Sequence, residues 1–246
     1  MNSVNDSLDA SQVASILARV AERRPRIHCL TNTVAQNVTA NMLLAFGAIP
    51  SMASHPEEVA AVAAGAGAVL INLGTISAEG ERAIPKLVAV ARERGIPLVL
   101  DPVFVELSPL RLRLAEEVLQ LPGVTVRGNA AEMAALDAVM RRAAGVLRVT
   151  TGKVDRIEGS GRVFELRHGH ELMTKVTGLG CASSALVAAC RAVEPDPAMA
   201  AAAALTAYGV AGEIAAERAA GPGSFAMHLL DALAGLDVAA LAARMG

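Results

Sequence analysis

The chain has 246 residues, and 53% of them are hydrophobic, although only four phenylalanines and one tyrosine are aromatic. Such a composition favours helices packed closely against a sheet through alanine and aliphatic side chains. Acidic and basic residues are interspersed and sum to a formal charge of −2, which excludes the sustained basic surface of a nucleic-acid binder and the polybasic stretch of a membrane anchor.

The N-terminal segment 1–24 begins with polar residues and continues as an amphipathic helical pattern. It lacks the basic start and apolar core of an export signal. The cysteines are too few for a complete disulfide framework, and none lies at the spacing of a zinc site. We therefore expect a cytoplasmic protein with reduced thiols at Cys29, Cys181 and Cys190.

Five short apolar runs predict buried strands, since each is bounded by turn residues and rich in branched side chains. Segments between them, such as 81–95 and 110–121, repeat apolar residues every three to four positions and predict helices. Strands joined by helix-length connections are expected to pair in parallel, because a hairpin turn is much shorter. The predicted strands are RIHCL (26–30), AVLINLG (68–74), PLVLDP (97–102), VTVRGN (124–129) and VLRVTTG (146–152).

The pattern changes in the C-terminal third of the chain. Two short alternating runs flank Gly159-Ser160-Gly161 and predict an antiparallel hairpin at the sheet edge. Beyond His170 the pattern is almost wholly helical, and the uncharged segment 198–212 is shorter than the roughly 20 residues that cross a bilayer, so we expect a buried core or interface helix. No linker divides the chain, which predicts one α/β domain over 1–246 with 1–24 as a helical extension.

Polar residues end or follow several of the predicted strands. Ligands of open parallel sheets bind beyond the carboxyl ends of the strands, whereas one polar residue at such a position also serves as an ordinary turn or helix cap. Their recurrence favours a site. The residues are Thr31-Asn32, Asn72, Asp101, Arg127-Gly128-Asn129 and Thr150-Thr151-Gly152.

The segment TGLGC, residues 177–181, precedes the helical pattern ASSALVAAC. Glycines there let backbone N–H groups approach an anion, and a helix N-terminus adds the positive end of its dipole. A simple tight turn accounts for the same residues, and neither a Walker A nor a GxGxxG pattern occurs in the chain. Cys181 lies at the start of this helix, where the dipole is expected to favour its thiolate.

Seven segments occur in a fixed order along the chain: CLTNTVAQNVTANMLLAFGAIPSM, LINLGT, LDPV, VRGNAAEM, VTTGKVD, LMTKVTGLGCASSALVAA and GPGSFAMHLLDAL. In this order they resemble the hydroxyethylthiazole kinase family of thiamine salvage. Any one of them alone could arise by chance, and it is their order over nearly the whole chain that makes the resemblance specific.

The resemblance implies a ribokinase-like fold, with a mainly parallel sheet covered by helices, and a homotrimer whose active sites lie between neighbouring subunits. It implies that ATP and Mg²⁺ serve to phosphorylate the hydroxyethyl alcohol of 4-methyl-5-(2-hydroxyethyl)thiazole, giving the thiazole phosphate for thiamine biosynthesis or salvage. The expected partner is therefore this small alcohol, and neither a nucleic acid nor a membrane.

Family roles carry over where the motifs match. Gly178 would lie at the substrate alcohol, Gly180 would help to form an anion hole, and Cys181 stands where the broader superfamily keeps an aspartate base. Arg127 and Thr151 match positions that bind ATP, and a guanidinium suits phosphate oxygens. Because phosphoryl transfer needs mainly alignment and charge neutralisation, we expect Cys181 to assist rather than dominate.

Four further positions match the family's metal and substrate residues. Asp101 and Glu132 match acidic positions near Mg²⁺, although Glu132 is equally explained as a first-turn carboxylate stabilised by the helix dipole. Asn32 and Met52 match positions around the thiazole. A flexible thioether suits a flat sulfur-containing ring, whereas Met52 without the resemblance reads as a core residue.

Two departures from the family pattern lie on the nucleotide side. The connection 133–145 lacks a loop and helix that the family usually carries, but it is long enough for one helical crossover, so we expect the sheet to be preserved. The loop 104–111 brings bulky and acidic residues to a place that is expected to face the phosphates. These departures keep open a non-catalytic thiazole-binding homologue, and Cys181 leaves a covalent enzyme as a third alternative, although no histidine lies near it in sequence.

Overall fold

The computed structural model describes residues 6–245. Within them eight strands form one sheet: β1 (Arg26–Leu30), β2 (Ile49–Ser51), β3 (Ala68–Asn72), β4 (Leu98–Asp101), β5 (Thr125–Asn129), β6 (Leu147–Thr151), β7 (Asp155–Gly159) and β8 (Arg162–Leu166). Across the sheet the order is β2-β1-β3-β4-β5-β6-β7-β8. The pairs from β2 to β6 are parallel, and β6, β7 and β8 pair in antiparallel fashion.

The helices of the same part of the chain connect and cover these strands. They are α1 (Ala10–Arg23), α2 (Gln36–Ala45), α3 (Val59–Ala63), α4 (Ala78–Arg94), α5 (Pro109–Val118), α6 (Ala130–Met140), α7 (Leu179–Arg191), α8 (Pro197–Arg218), α9 (Pro222–Ala234) and α10 (Val238–Met245). Short 3₁₀ turns lie at Val105–Leu107 and Glu171–Thr174.

The predicted α/β architecture is confirmed. All five predicted strands are present, and the run around Ser160 forms the edge hairpin of β7 and β8. The sequence did not indicate β2, because it has only three residues and contains Pro50, which is tolerated on an edge strand but gives no strand signal. Helix α1 confirms the amphipathic helix of the predicted 1–24 extension, of which residues 1–5 lie outside the described part of the chain.

Helices cover both faces of the sheet and bury a separate apolar cluster on each. One cluster contains residues of α1, α2 and α7 to α10, and the other contains residues of α3 to α6. Helix α8 is long and apolar enough to cross a membrane, but 83% of its apolar window is buried inside the fold. Its alanines allow neighbouring helices to approach closely, and the prediction of a buried core helix is confirmed.

The shortened crossover between α6 and β6 preserves the sheet, as predicted. Helix α6 ends at Met140, β6 starts at Leu147, and β5 and β6 pair in parallel over five residue pairs from Thr125–Leu147 to Asn129–Thr151. The crossover therefore needs only one helix and a short turn to bring the ends of β5 and β6 side by side.

Candidate active site

The polar residues at the ends of adjacent strands β1, β3 and β4 form one hydrogen-bonded row. The Asn32 Nδ2 donates to Asn72 Oδ1 over 2.9 Å, and the Asn72 Nδ2 donates to Asp101 Oδ2 over 2.7 Å. The hydroxyl of Ser184, from α7, donates to the same carboxylate oxygen over 2.9 Å. The exposed fraction is 8% for Asn32, 1% for Asn72, 2% for Asp101 and 0% for Ser184. We call Asn32, Asn72 and Asp101 the polar row.

Burial dominates the electrostatics of the row. It raises the pKa of Asp101 to about 6, because a charged carboxylate loses its hydration there. The charge of Arg127 and the hydrogen bond from Ser184 oppose this rise, whereas the nearby charge of Glu132 adds to it. Arg127 and Glu132 are therefore close enough to Asp101 for their charges to affect its pKa.

Helix α7 begins at a glycine elbow, here residues Gly178–Cys181. Gly178 is its N-cap with φ of +82°, and a Cβ there would lie 2.8 Å from Val38 Cγ1 and 3.3 Å from Ala35 Cα. Only glycine satisfies both this backbone conformation and this close approach to the start of α2. The first N–H groups of α7 have no acceptor within their own helix, so the elbow provides the donors that the sequence predicted for an anion.

Cys181 is the third residue of α7 and is half-buried. Its Sγ lies 3.5 Å from Asn32 Nδ2. The helix dipole was expected to favour the thiolate. The pKa of the thiol is nevertheless raised, first by burial and then by the charge of Asp101. Hydrogen bonds from Asn72 and Asn32 and the charge of Arg127 offset only part of this rise.

Beside the elbow lies an open cavity of about 790 Å³ into which predicted ATP-binding residues project. A Cβ on Gly180 would lie 3.6 Å from Arg127 Nη1, so the elbow and this guanidinium are neighbours. Arg127 Nε is buried and has no hydrogen-bond partner among residues 6–245. The wall has three basic side chains, of Arg127, Lys153 and Arg167, and two acidic ones, of Asp155 and Glu171. The lining includes Arg127, Thr151, Lys153, Arg167, His168, Gly180 and Tyr208.

Glu132 has the structural role that sequence analysis gave as one of two alternatives. Its Oε2 accepts a hydrogen bond from Asn129 N over 2.8 Å, and Asn129 Oδ1 accepts one from Glu132 N over 3.0 Å, which forms a capping box at the start of α6. Its Oε1 accepts from Phe104 N over 3.0 Å. Both carboxylate oxygens are therefore engaged by backbone amides, and one of them holds the 104–111 loop.

The two acidic residues suit Mg²⁺ in number and chemistry. That ion is bound through one or two carboxylates together with water and substrate phosphates. The described residues contain no cluster of three or more His, Cys, Asp or Glu side chains placed to hold a metal, so any site must be completed by other ligands. The hydrogen bonds from Asn72 and Ser184 both go to Asp101 Oδ2, and Oδ1 accepts none from residues 6–245.

The structure brings most of the predicted residues together, with one exception. Gly178, Gly180 and Cys181 form the elbow, while Asn32 and Arg127 approach it from the polar row and the cavity. Met52 instead follows the edge strand β2 and packs partly buried against an apolar cluster, and it does not line the cavity. Asn32 Oδ1 accepts from Ala35 N over 3.0 Å, which shows that its amide also shapes the loop before α2.

Three residues of the site have no role that the sequence alone predicts. Asn72 is recognisable in the sequence only as a polar residue in a strand. Its position opposite Asp101 in the pairing of β3 and β4 allows the hydrogen bond between them. Ser184 lies three positions after Cys181, and this spacing on a helix could have indicated a shared face. Tyr208, whose hydroxyl donates to Leu179 O over 3.2 Å, had no signal because it lies in the alanine-rich helix α8.

The fold itself defines a class of protein. A ribokinase-like superfamily protein from Enterococcus faecalis superimposes with a TM-score of 0.62 at 13% identity, over 94% of this chain and 90% of that chain. This likeness shows a ribokinase-like fold.

Sequence comparison identifies the family within this class. The model of the hydroxyethylthiazole kinase family matches residues 17–147 and 137–239, and the two matches overlap around the shortened connection to β6. A probable hydroxyethylthiazole kinase of Agrobacterium fabrum is 44% identical over 91% of this chain and 89% of its own length. The hydroxyethylthiazole kinase structure from Pyrococcus horikoshii superimposes with a TM-score of 0.86 at 39% identity, over 92% of this chain and 94% of that chain. The chain belongs to the hydroxyethylthiazole kinase family, and the comparisons give no support to a non-catalytic role.

Proposed function

We propose that the protein transfers a phosphoryl group from ATP to the hydroxyethyl alcohol of 4-methyl-5-(2-hydroxyethyl)thiazole. The observation that carries this proposal is that the elbow and Arg127 are neighbours in the wall of a large open cavity. Backbone donors at a helix N-terminus and an arginine then face the same space, as the transfer of a charged phosphoryl group requires. Membership of the kinase family supports the same reaction.

The residues of the nucleotide side neutralise charge. Arg127 presents a fork of N–H donors to the phosphates, and its unpartnered Nε supports an acceptor supplied by a ligand. Thr151 lies at the end of β6 in the cavity lining, and its hydroxyl donates to Gly128 O over 3.3 Å. The elbow amides, above all at Gly180, donate hydrogen bonds to the oxygens that carry the negative charge of the moving phosphoryl group.

Asp101 and Glu132 are the residues that would hold Mg²⁺. When bound, the ion would neutralise phosphate charge. Glu132 already accepts hydrogen bonds from two backbone amides. We propose that it would bind the ion while it stays in the capping box at the start of α6. Asp101 is fixed by Asn72 and Ser184, which hold its Oδ2.

Cys181 receives the proton of the substrate hydroxyl, and its contribution is secondary. Its raised pKa makes the thiolate scarce at neutral pH but makes it a stronger base once formed. A loose transition state does not require the alcohol to ionise early. Val38 and Ala35 fill the place that a Cβ of Gly178 would take, so Gly178 would meet the alcohol through its backbone.

The thiazole itself is proposed to lie between Asn32 and Met52 at a subunit boundary of a homotrimer. Three apolar side chains from the same stretch of chain are exposed, namely Val34, Leu44 and Ile49, which supports coverage by a neighbouring subunit. The continuous sheet supports one ribokinase-like domain for the chain. We further propose that it works in the cytoplasm, where ATP and reduced thiols occur together.

The test is to incubate the purified protein with Mg²⁺, ATP and hydroxyethylthiazole and to follow the phosphate ester by ³¹P NMR and mass spectrometry. Ester formation that requires all three reagents is expected. Binding of the thiazole without ester would overturn the proposal in favour of a non-catalytic protein. A substrate adduct on Cys181 would overturn it in favour of covalent chemistry.

A further inference from the structure

The polar row has a direction that two backbone groups determine. Gly74 N donates to Asn72 Oδ1 over 3.0 Å, and a backbone N–H has no other role than donor. Asn72 Oδ1 must therefore face Gly74 and Asn32, and its Nδ2 must face the carboxylate of Asp101. Likewise Ala35 N requires Asn32 to turn its Oδ1 toward the start of α2.

The hydrogen-bonded row continues from Asp101, at its acidic end, to Cys181 in the elbow. Because Asn32 Oδ1 faces Ala35 and one Nδ2 hydrogen faces Asn72, the remaining hydrogen points toward Cys181 Sγ, at an N–S distance of 3.5 Å. A reversed amide at Asn72 would place two donors against Gly74 N and Asn32, and would leave Asp101 facing an oxygen. Asn72 therefore links the acidic residue directly to Asn32, at the start of the loop before α2.

Burial and close packing make this link rigid. Asn72 is 1% exposed, so water does not substitute for a lost partner without opening the fold. A Cβ on Gly74 would lie 2.9 Å from Asn32 Nδ2 and 3.0 Å from Asn72 Oδ1, which shows that the two amides fill the space beside this glycine. The loop before α2 in turn packs against Gly178 through Ala35.

We propose that Asn72 is a positioning residue for the thiazole side of the site. It fixes the amide of Asn32, and through it the loop 32–35 that supports the elbow, while it also orients Asp101. It does not itself contact the substrate. This role rests on the proposed function, since it names a residue that prepares the binding place of the thiazole alcohol.

Ser184 supplies a matched control. Its hydroxyl donates to the same Asp101 oxygen as Asn72 does, and it is equally buried. It has no hydrogen bond to Asn32 or Gly74 within residues 6–245. Ser184→Ala therefore disturbs Asp101 alone, whereas Asn72→Ala disturbs Asp101 and the thiazole side together.

The experiment measures hydroxyethylthiazole binding to the full protein by calorimetry, without nucleotide or metal. Asn72→Ala should weaken binding about 10-fold or more, because it leaves one N–H of the buried Asn32 amide without its acceptor, while Ser184→Ala stays within about threefold of wild type. In the kinase assay, Asn72→Ala should raise the KM for the thiazole, and Ser184→Ala should lower kcat at an unchanged thiazole KM. Unchanged binding in Asn72→Ala, or equal weakening in both variants, would overturn the proposal.

Two further outcomes are treated separately, namely a variant that does not fold and a wild-type protein that does not bind hydroxyethylthiazole. If Asn72→Ala does not fold, Gly74→Ala replaces it, since its methyl group pushes the two amides apart; weaker thiazole binding supports the proposal and wild-type binding overturns it. If the wild-type protein phosphorylates another alcohol and does not bind hydroxyethylthiazole, the proposed function fails. That substrate then takes the place of the thiazole in the same comparison, so the role of Asn72 is judged separately.

Discussion

The two halves of the site are built in opposite ways. The polar row on one side is closed, with each amide and the carboxylate of Asp101 held by buried hydrogen bonds. The cavity on the other side is open, and the buried Nε of Arg127 has no partner among the described residues. The elbow of α7 separates them and contacts both, through Cys181 and Gly180.

This difference indicates which groups are already in place before ligands bind. Preorganised donors lower a reaction barrier because they need no rearrangement during the reaction. On the closed side that preorganisation comes from the protein's own hydrogen bonds. On the open side Arg127 Nε has no partner among residues 6–245, so the nucleotide is expected to complete the arrangement.

The largest effect is expected on the open side, from Arg127→Ala. Loss of the guanidinium beside the elbow should lower kcat/KM for ATP about 10³-fold, as removal of charge-stabilising groups does in phosphoryl transfer. Steady-state kinetics at varied ATP provide the measurement. The control is Arg113→Ala, which removes a surface ion pair with Glu81 on the outside of α5. A similar loss in both variants would contradict a specific role.

The next effect is expected at the boundary, from Cys181→Ala. It should lower kcat about 10²-fold, near the small end of the range for a general base, and Cys181→Asp should retain activity. Because the pKa of the thiol is raised, wild-type kcat should go on rising above the pH at which an ordinary thiol has ionised. The Asp variant should lack that rise. A fully active Ala variant would show that Cys181 has no part in the transfer.

A smaller effect, on stability, is expected on the closed side from Asp101→Asn. The pKa of Asp101 is raised to about 6 from an ordinary value of 3.8, so the folded protein binds the proton more tightly than the unfolded chain does. Wild-type stability should therefore fall as the pH rises from about 4 to about 6. Without Mg²⁺ at pH 7.5, Asp101→Asn should be more stable by about 2 kcal/mol, although it loses kinase activity.

Urea denaturation at several pH values measures this difference. The advantage of Asp101→Asn should be complete above pH 6 and should vanish below the ordinary carboxyl pKa. Ser184→Ala, which removes a hydrogen bond to the charged form, should show no such advantage. An Asp101→Asn variant that is less stable than wild type at pH 7.5 would contradict the account of a buried charge.

The smallest effect concerns the loop that Glu132 holds. Phe104 is 54% exposed and has a left-handed backbone, with φ of +54°. Asparagine tolerates this conformation better than alanine does, and both lose the contact of the ring with Arg111. Phe104→Asn should therefore be more stable than Phe104→Ala by about 1 kcal/mol. Equal stability in urea denaturation would show that the loop relaxes when the ring is removed.

Local sequence patterns were sufficient for most of the fold. Apolar runs located five parallel strands, and the Gly159-Ser160-Gly161 turn located the hairpin. Strand β2 was missed because its three residues pair only through the edge of β1, a contact that no local pattern encodes. The residues of the elbow and of the cavity were predicted from two sources. One is the tendency of ligands to bind beyond the carboxyl ends of parallel strands, and the other is the family resemblance.

The remainder depended on tertiary contacts. Asn72 joins residues that are 40 and 29 positions away in sequence, so its role follows from strand order and register. The rise in the pKa of the Cys181 thiol is not predictable locally, because a helix start is visible in the sequence, whereas burial and the charge of Asp101 are not. The place of Met52 stays a prediction, since its proposed partners belong to a neighbouring subunit.

A crystal structure of the protein with Mg²⁺ and a non-hydrolysable ATP analogue tests the central claim most directly. The account predicts that the terminal phosphorus lies beside the elbow, within hydrogen-bonding reach of the Gly180 amide through its oxygens, and that Arg127 contacts the phosphates. A terminal phosphate bound away from the elbow, with Arg127 still unpartnered, would contradict it.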